Sequence, residues 1–243
     1  MRLDQELVER GLCLSRTEAQ ELIKEGCVLL NHVVCKKQTR LVTPVDEITV
    51  TSQRRYVSRG GGKLQGVLED VFGSTENIQA SVEGKTILDI GSSTGGFTDC
   101  LLQYGAKHID CVDVGSDQLH NKIRANPQIS VFENTDIRSF VSSTSYNSIV
   151  ADVSFISLTS IFDDILKHGS AGTHYFLLIK PQFEVGKGNT KKGIVKDEAL
   201  VAQVLSQYKV LAEEKGLGYV EVFPCHIQGG DGNQEYFLHG ILK

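Results

Sequence analysis

The 243-residue chain contains no tryptophan, one methionine and four prolines. It also contains no apolar run near the ~18 residues that a membrane-spanning helix needs. The first six residues, from Met1 to Glu6, are mostly charged or polar and lack the apolar centre of a signal peptide. We therefore expect no transmembrane helix, no contact with a membrane and a location in the cytoplasm.

Paired cysteine motifs are also absent. The chain has six cysteines, and none are spaced as a C-x-x-C pair. The absence of such pairs predicts buried thiols in a reducing compartment rather than a disulfide framework or a zinc site, so we expect no bound metal. The cysteines are Cys13, Cys27, Cys35, Cys100, Cys111 and Cys225.

The net charge of −5 is unevenly distributed. Residues 1–62 hold ten Lys/Arg against eight Asp/Glu, whereas residues 63–243 hold fifteen against twenty-two. The acidic total disfavours a general nucleic-acid binder, but it leaves room for a local basic face in the first segment.

The first 52 residues have the pattern of a small α+β domain. Ser15 and Glu18 have the spacing of a helix-capping box, and Gly26 is placed to end the helix that follows. Residues 28–34 indicate a hairpin with Asn31 in its turn, and Val45–Val50 indicate a last strand.

This pattern resembles the S-four-like RNA-binding domain, first described in a protein of the small ribosomal subunit. The resemblance implies that basic residues contact structured RNA, although any single one of them is better explained as part of a solvated charged face. The candidates are Arg2, Arg10, Arg16, Lys24, Lys36, Lys37, Arg40 and, beyond the domain, Arg59.

Residues 53–62 are interpreted as a linker with a glycine-rich end, and residues 63–243 as a second domain. Three consecutive glycines, Gly60 to Gly62, precede a helical pattern. They predict close approach of the backbone to a ligand. Lys63 is expected at the start of that helix, where the helix dipole disfavours a cation, so a functional role is favoured.

The second domain is organised around residues 86–102. A buried β-branched run ending in Asp89 and Ile90 is followed by a glycine loop and then by helical spacing from Phe97. Strands then alternate with helices, and the last two strands are joined by a turn too short for a crossover helix. The prediction is an α/β fold with a Rossmann-like, seven-stranded sheet whose last strand is antiparallel.

The loop D-x-G-x-x-x-G-G resembles the first motif of S-adenosylmethionine-dependent methyltransferases. Asp113 ends the second strand and Asp136 follows the third. The resemblance implies that they contact the ribose and the adenine of that cofactor; each could instead cap a helix. The predicted cofactor-binding residues are Asp89, Gly91, Ser93, Gly95, Gly96, Phe97, Asp113 and Asp136.

Lys63, Asp152, Lys180 and Glu235 reproduce the Lys-Asp-Lys-Glu order of the FtsJ-like ribose 2′-O-methyltransferases. Their flanking segments resemble the TlyA family over essentially the whole chain: 58–64, 92–97, 151–157, 180–186 and 232–237. The resemblance implies methyl transfer from S-adenosylmethionine to cytidine riboses of ribosomal RNA. Lys180 is then the base or the group that orients the hydroxyl, with Asp152 holding it, while Lys63 and Glu235 position the ribose.

The sequence leaves room for other chemistries and functions. The dipeptide Pro224–Cys225 matches a cytosine-methylase nucleophile, but it is expected in the sixth strand, away from the substrate. Some relatives carry a haemolysin label, which suggests a membrane-active toxin. A non-catalytic RNA-binding protein of the same fold is the other alternative.

Overall fold

A computed structural model describes residues 1–13, 15–51, 55–186, 188–230 and 232–243, with the side chains of Thr17, Glu21 and Glu25 left out. The chain forms two compact units, Met1–Arg55 and Tyr56–Lys243. Most of the predicted linker is described, but Gln53 and Arg54 lie outside the described residues.

The first unit is a pair of helices on a small antiparallel sheet. The sheet has the order β2-β1-β3, and Leu3, Leu7 and Ile23 are fully buried in the core beneath it. The elements are α1 Leu3–Glu9, α2 Arg16–Glu25, β1 Val28–Leu30, β2 Val33–Val34 and β3 Ile48–Val50.

The predicted local signals of this unit are present. The Glu18 N–H donates to Ser15 Oγ at 3.2 Å at the start of α2, and Gly26 ends that helix with φ 78°. Asn31 lies in the hairpin turn with φ 50°. The last strand is shorter than predicted, because the Asp46 carboxylate accepts from Thr43 and Asn31 and holds the chain before β3 in a turn.

The second unit is a seven-stranded sheet in the order β6-β5-β4-β7-β8-β10-β9. The five strands β6, β5, β4, β7 and β8 pair in parallel, in that order, and β10 is antiparallel to its neighbours β8 and β9. This arrangement confirms the predicted fold. The strands are β4 Thr86–Ile90, β5 His108–Val112, β6 Ile129–Phe132, β7 Ser148–Ala151, β8 His174–Ile179, β9 Leu217–Pro224 and β10 Tyr236–Leu242.

Helices cover both faces of this sheet. One face packs against the first three helices of this unit, within residues 59–103. The other face packs mainly against the helix at residues 198–214 and the short helix at 162–166. Each face thus has its own apolar cluster. The helices are α3 Arg59–Phe72, α4 Thr75–Val82, α5 Gly96–Gln103, α6 Asn121–Arg124, α7 Phe162–Leu166, α8 Pro181–Glu184 and α9 Glu198–Glu214, with a 3₁₀ turn at Leu158–Ile161.

Helix α3 begins four residues before the predicted position, which corrects two expectations. The three glycines lie inside its first turns, and Lys63 is its fifth residue rather than its first. A Cβ at Gly62 would lie 2.7 Å from Ile227, and one at Gly61 would overlap the Tyr56 ring. The glycines therefore allow other parts of the chain, rather than a ligand, to approach the helix closely.

Candidate active site

The carboxyl ends of the parallel strands β4, β5, β7 and β8 meet at one edge of the sheet, as strand direction requires. At this edge lies a cavity of about 420 Å³. Its walls include residues from the ends of three of the strands and from the loops after them, among them Gly91, Ser93, Asp113, Gly115, Asp136, Asp152, Phe155 and Ile156.

Asp113 is held rigidly in the cavity wall. One carboxylate oxygen accepts from the Ser93 N–H and the other from the Gly115 N–H, each at 2.7 Å. Each oxygen keeps a lone pair for a further donor, so the side chain can still accept hydrogen bonds from a pair of hydroxyls. Gly91 has φ 75°, and a Cβ there would lie 2.5 Å from the Asp152 carbonyl oxygen, so glycine is required at this approach.

Asp136 also lines the cavity, but it already has a partner. Arg138 donates from Nε to Asp136 Oδ1 at 2.9 Å and from Nη2 to Oδ2 at 2.5 Å. These hydrogen bonds lower the pKa of Asp136 to about 2, so it is a carboxylate at neutral pH. Its contact with an adenine ring stays a prediction.

Four of the predicted cofactor residues are not in the cavity wall. Asp89 is fully buried, and Gly96 packs against Ser58 and Gly61. Phe97 lies under Gly60 and against Phe237, with ring centroids 5.7 Å apart. Gly95, with φ 88°, faces Leu119 and Ile123. In the structure these residues set the position of α5, and direct cofactor contact by them stays a prediction.

Asp89 is electrostatically unusual. Thr98 Oγ1 donates to its Oδ2 at 2.5 Å, whereas its buried Oδ1 has no hydrogen-bond partner among the described residues. Burial raises the pKa of Asp89 to about 7, and the nearby charges of Asp152 and Asp113 add to this effect. A cationic group placed nearby would favour the ionised form.

The four predicted catalytic residues form two ion pairs at the same edge. Lys63 Nζ lies 2.5 Å from Glu235 Oε2, and both side chains are almost entirely buried. Lys180 Nζ lies 2.5 Å from Asp152 Oδ1 and donates to Ser154 Oγ at 2.6 Å. The Lys180–Asp152 contact is an ion pair without good hydrogen-bond alignment, since Asp152 Oδ1 accepts no aligned bond. Pairing is what allows such charges to be buried.

Cys225 lies at this edge as well, which corrects the expected position of Pro224–Cys225. Strand β9 is antiparallel to β10 and therefore runs in the direction of the parallel strands. The Cys225 N–H donates to the Glu235 carbonyl oxygen at 2.8 Å. Burial raises the pKa of Cys225 to about 12, and the positive charge of Lys63 only partly offsets this. The residue is a thiol at neutral pH and not a nucleophile.

Phe155 was not identified from the sequence. Its side chain is 92% exposed, its φ is 65°, and its ring centroid lies 5.4 Å from that of Phe183. Phe155 is part of the cavity wall, and an exposed aromatic ring on a strained backbone at such a place makes it a candidate for contact with a ligand. The sequence signal that could have identified Phe155 is its position, three residues after Asp152, the aspartate that follows β7.

The predicted RNA-binding residues of the first unit fall into two groups. Arg2 and Arg16 both pair with the buried Asp4, at 3.0 and 2.9 Å. Burial alone would raise the pKa of Asp4, but hydrogen bonds from Gln20, Arg16 and Arg2 lower it to about 2. Arg10 Nε donates to Glu6 Oε1 at 2.8 Å, and its Nη1 donates to the Asp46 carbonyl oxygen at 2.8 Å. These three arginines thus also serve the fold.

The other group is exposed: Lys24, Lys36, Lys37 and Arg40. None of these four makes an ion pair within the described part of the chain. Arg59, in the second unit, begins α3 and lies beside Gly230.

The described residues offer neither a metal site nor a membrane-spanning helix. They contain no group of three or more His, Cys, Asp or Glu side chains placed to hold a metal ion. No helix within those residues is both long enough and apolar enough to cross a membrane.

Comparisons with known proteins agree with this geometry. The FtsJ-like methyltransferase family matches residues 56–241 and the S4 domain matches residues 1–48. A protein of Mycobacterium tuberculosis named 16S/23S rRNA (cytidine-2′-O)-methyltransferase TlyA is 39% identical over 98% of this chain and 88% of its own length. Hemolysin A of Brachyspira hyodysenteriae is 38% identical over 100% of both chains.

A solved structure shows the same similarity in three dimensions. It is that of a protein from Streptococcus thermophilus, also named a hemolysin, which is 33% identical with a TM-score of 0.76. The match covers 100% of this chain and 89% of the other. With a matching methyltransferase domain, a matching S4 domain and relatives of this identity over its full length, the chain belongs to the TlyA family of FtsJ-like methyltransferases.

Proposed function

We propose that this protein transfers a methyl group from S-adenosylmethionine to the ribose 2′-hydroxyl of cytidine in ribosomal RNA. The observation that carries the proposal is the presence of two ion pairs at the same edge of the sheet, Lys63–Glu235 and Lys180–Asp152, with Asp152 in the wall of the strand-end cavity. The choice of ribosomal RNA as the substrate, and of cytidine as the nucleotide, follows the name of the relative in M. tuberculosis. Because ribosomes are its proposed partner, we place the protein in the cytoplasm.

The cavity suits the proposed cofactor. Asp113, fixed by two backbone N–H groups, offers carboxylate oxygens to the ribose hydroxyls of a nucleoside. Gly91 keeps the wall open where any side chain would collide with the Asp152 carbonyl group. Asp89 Oδ1, which has no hydrogen-bond partner among the described residues, lies at the end of the strand before the loop and favours a positively charged ligand. When bound, S-adenosylmethionine supplies a methyl group on a cationic sulfur.

The residues of the chain handle the proton. A ribose hydroxyl is a weak nucleophile, and its oxygen must lose a proton as the new C–O bond forms. As an ammonium group paired with Asp152, Lys180 can hold the hydroxyl in line. To accept the proton, Lys180 first releases one of its own to solvent, and Asp152 then stabilises the ammonium group that forms again when the hydroxyl proton is transferred to Nζ. Ser154 accepts from the same Nζ and so fixes its direction.

The second pair positions the substrate. Lys63 lies in α3, and Glu235 directly precedes β10. The hydrogen bond between them holds each side chain in a fixed place. The Lys63 ammonium can donate to a ribose oxygen, and Glu235 compensates its charge in a site that excludes water. The two pairs are expected to titrate together rather than as four independent groups.

RNA binding is divided between the two units in this proposal. The S4 domain supplies affinity through its exposed cations, Lys24, Lys36, Lys37 and Arg40, which can contact phosphates. Phe155 offers a flat apolar face beside the cavity on which the base of the target nucleotide can stack.

The test is a map of ribose methylation on 16S and 23S rRNA from cells with and without the gene, repeated in vitro with the purified chain. We expect cytidine 2′-O-methylation to disappear with the gene and to be restored by the wild-type protein but not by Lys180→Ala. Unchanged methylation would overturn the proposal and favour a non-catalytic RNA-binding protein.

The haemolysin names of two relatives require a parallel assay. The same purified protein should not lyse red blood cells at concentrations that saturate methylation. Lysis by the wild type that persists in Lys180→Ala would assign a membrane-damaging activity independent of the catalytic edge.

A further inference from the structure

The segment between α8 and α9 carries a group of lysines that the proposed chemistry does not use. Lys191, Lys192 and Lys196 are exposed, and within the described residues none of them makes an ion pair. They lie in a part of the chain that is acidic overall, with fifteen Lys/Arg against twenty-two Asp/Glu in residues 63–243. Unpaired cations concentrated on an acidic body form a local site for an anion.

The segment is a closed turn and not a free loop. The Lys191 N–H donates to the Ile194 carbonyl oxygen at 2.8 Å, and the Ile194 N–H returns to Lys191 at 3.1 Å. Lys192 between them has φ 54°. This geometry presents neighbouring lysines from one fixed tip, and we call residues 188–196 the lysine loop.

Asn233 holds the lysine loop in place. Its side chain is buried, with the residue only 3% exposed. Asn233 Oδ1 accepts from the Val195 N–H at 3.0 Å, and Nδ2 donates to the Gly193 carbonyl oxygen at 2.8 Å. Both polar atoms of this buried side chain therefore bond to the backbone of the loop, which they hold in place.

The same residue connects the lysine loop to a catalytic pair. Asn233 is two positions before Glu235, and the Gly229 N–H donates to the Asn233 carbonyl oxygen at 2.9 Å. The Cys225 N–H donates to the Glu235 carbonyl oxygen at 2.8 Å, so residues 225–235 form a loop whose two ends are hydrogen-bonded to each other. The lysines are thereby fixed relative to Glu235 and to its partner, Lys63.

A groove of about 710 Å³ lies between the lysine loop and α9. Pro181 and Tyr236, the neighbours of Lys180 and Glu235, form part of its wall together with Lys196. The groove lies at the end of β8 and the start of β10, whereas the cofactor cavity lies at the ends of β5, β4 and β7. Lys180 is therefore between the two, where a methyl acceptor has to be.

Two acids adjoin the lysines. Asp197 accepts from the Ala199 and Leu200 N–H groups at 3.0 and 3.1 Å, so its charge caps α9. Glu198 lines the groove and opposes an anion there. The anion is therefore expected at the tip of the lysine loop, near Lys191 and Lys192, and not at the floor of the groove.

We propose that the lysine loop is an RNA-binding element of the methyltransferase unit, in which Lys191 and Lys192 bind phosphates of the strand next to the target nucleotide and Lys196 adds positive charge beside them. Asn233 holds this element in register with Glu235. The inference rests on the proposed function, since it assumes an RNA substrate. It adds a site for the phosphate backbone that is separate from the S4 domain.

The test measures binding of the full chain to ribosomal subunits purified from cells that lack the gene, over a range of KCl concentrations. Each lysine–phosphate contact contributes about 1 to the slope of log K against log salt. The double variant Lys191→Glu/Lys192→Glu should lower this slope by about 2 and weaken binding by ~10–100-fold. The matched control, Lys107→Glu/Lys209→Glu, changes the same charge at exposed positions elsewhere and should keep the wild-type slope.

A second variant tests the effect of the fixed position of the loop separately from the effect of its charge. Asn233→Ala leaves the net charge unchanged, yet it should lower the slope towards that of the double variant, because the lysines lose their common position. Combining it with Lys191→Glu/Lys192→Glu should cause little further loss. Binding of S-adenosylmethionine and the melting temperature serve as the checks on folding.

The outcomes distinguish this inference from the function it assumes. If the wild type methylates subunits and the lysine variants match the control, the lysine loop does not bind RNA and only this inference is overturned. If the wild type methylates no subunit, the proposed function itself is overturned. A wild-type slope in Asn233→Ala, with a reduced slope in the lysine variant, would remove the role given to Asn233.

Discussion

Lys63 and Glu235, 172 positions apart in the sequence, meet as a buried ion pair with Nζ and Oε2 2.5 Å apart. The pair joins α3 to the start of β10 and closes one side of the catalytic edge. Removing one partner of a buried ion pair leaves an uncompensated charge, which typically costs about 3–5 kcal/mol of folding free energy.

The first prediction concerns this pair. Glu235→Gln should lower the stability of the methyltransferase unit more than the double variant Lys63→Met/Glu235→Leu, because the double variant leaves no buried charge. Both should be inactive. Chemical denaturation of the full chain measures the difference, with Lys63→Met as the second single variant. A loss in the double variant equal to the sum of the two single losses would show that the two residues are not coupled.

Much of this edge follows from the sequence. The buried runs at β4, β5, β7 and β8 predict parallel strands, and strand direction then brings Asp113, Asp152 and Lys180 to one edge. The short connection between the last two strands requires an antiparallel pair. These inferences need only periodicity and connection length, which are local properties of the chain.

Other features depend on packing that no local pattern encodes. Glycine has low helix propensity, so Gly60 to Gly62 predict a loop, yet contacts with Tyr56 and Ile227 make them the start of α3. The position of Cys225 depends on the direction of β9, which is set by pairing with β10. Phe155 was missed because an exposed aromatic residue has no periodic signal.

The second prediction concerns the cofactor cavity. Asp113→Ala should weaken binding of S-adenosylmethionine by ~10–100-fold or more, since a hydrogen bond to a charged group contributes about 1.5–3 kcal/mol. Asp117→Ala is the control, because the Asp117 side chain is 95% exposed and Asp117 is outside the cavity wall. Calorimetric titration measures both, and an unchanged affinity in Asp113→Ala would exclude the site.

The third prediction follows from the pKa of Asp89, raised by burial from 3.8 to about 7. Between these values the folded protein binds more protons than the unfolded chain, so stability should fall as pH rises from about 4 to 7. Each unit of pKa difference corresponds to about 1.36 kcal/mol, which sets an upper limit of several kcal/mol.

Asp89→Asn should remove this pH dependence, because the amide does not titrate. Denaturation midpoints of the methyltransferase unit between pH 5 and pH 8 measure it, and parallel curves for the two proteins would contradict the assignment. Wild-type affinity for the cationic cofactor should also increase through pH 7, as Asp89 ionises.

The fourth prediction concerns Phe155. Base stacking on an aromatic side chain contributes about 1–3 kcal/mol, so Phe155→Gly should lower kcat/KM for RNA by ~10–100-fold. Glycine accepts the φ of 65° without strain, so the variant should be at least as stable as the wild type. Phe155→Tyr keeps the ring and should retain most activity; loss of activity in both variants would argue against stacking.

The last prediction separates two roles for Lys180, whose Nζ contacts Asp152 and Ser154 at the end of β8. If Lys180 accepts the 2′-hydroxyl proton, Lys180→Ala should slow methyl transfer by ~10²–10⁴-fold while cofactor and RNA affinities change only a few-fold. Lys180→Arg should be nearly as slow, because a guanidinium group keeps its charge and cannot accept the proton. If Lys180 instead only neutralises Asp152 and holds the strand end, arginine should preserve turnover and alanine should mainly lower the melting temperature. Single-turnover methylation by the arginine variant, on RNA that it still binds, decides between them: near-wild-type turnover would mean that Lys180 acts as a fixed positive charge and that the proton leaves by another route.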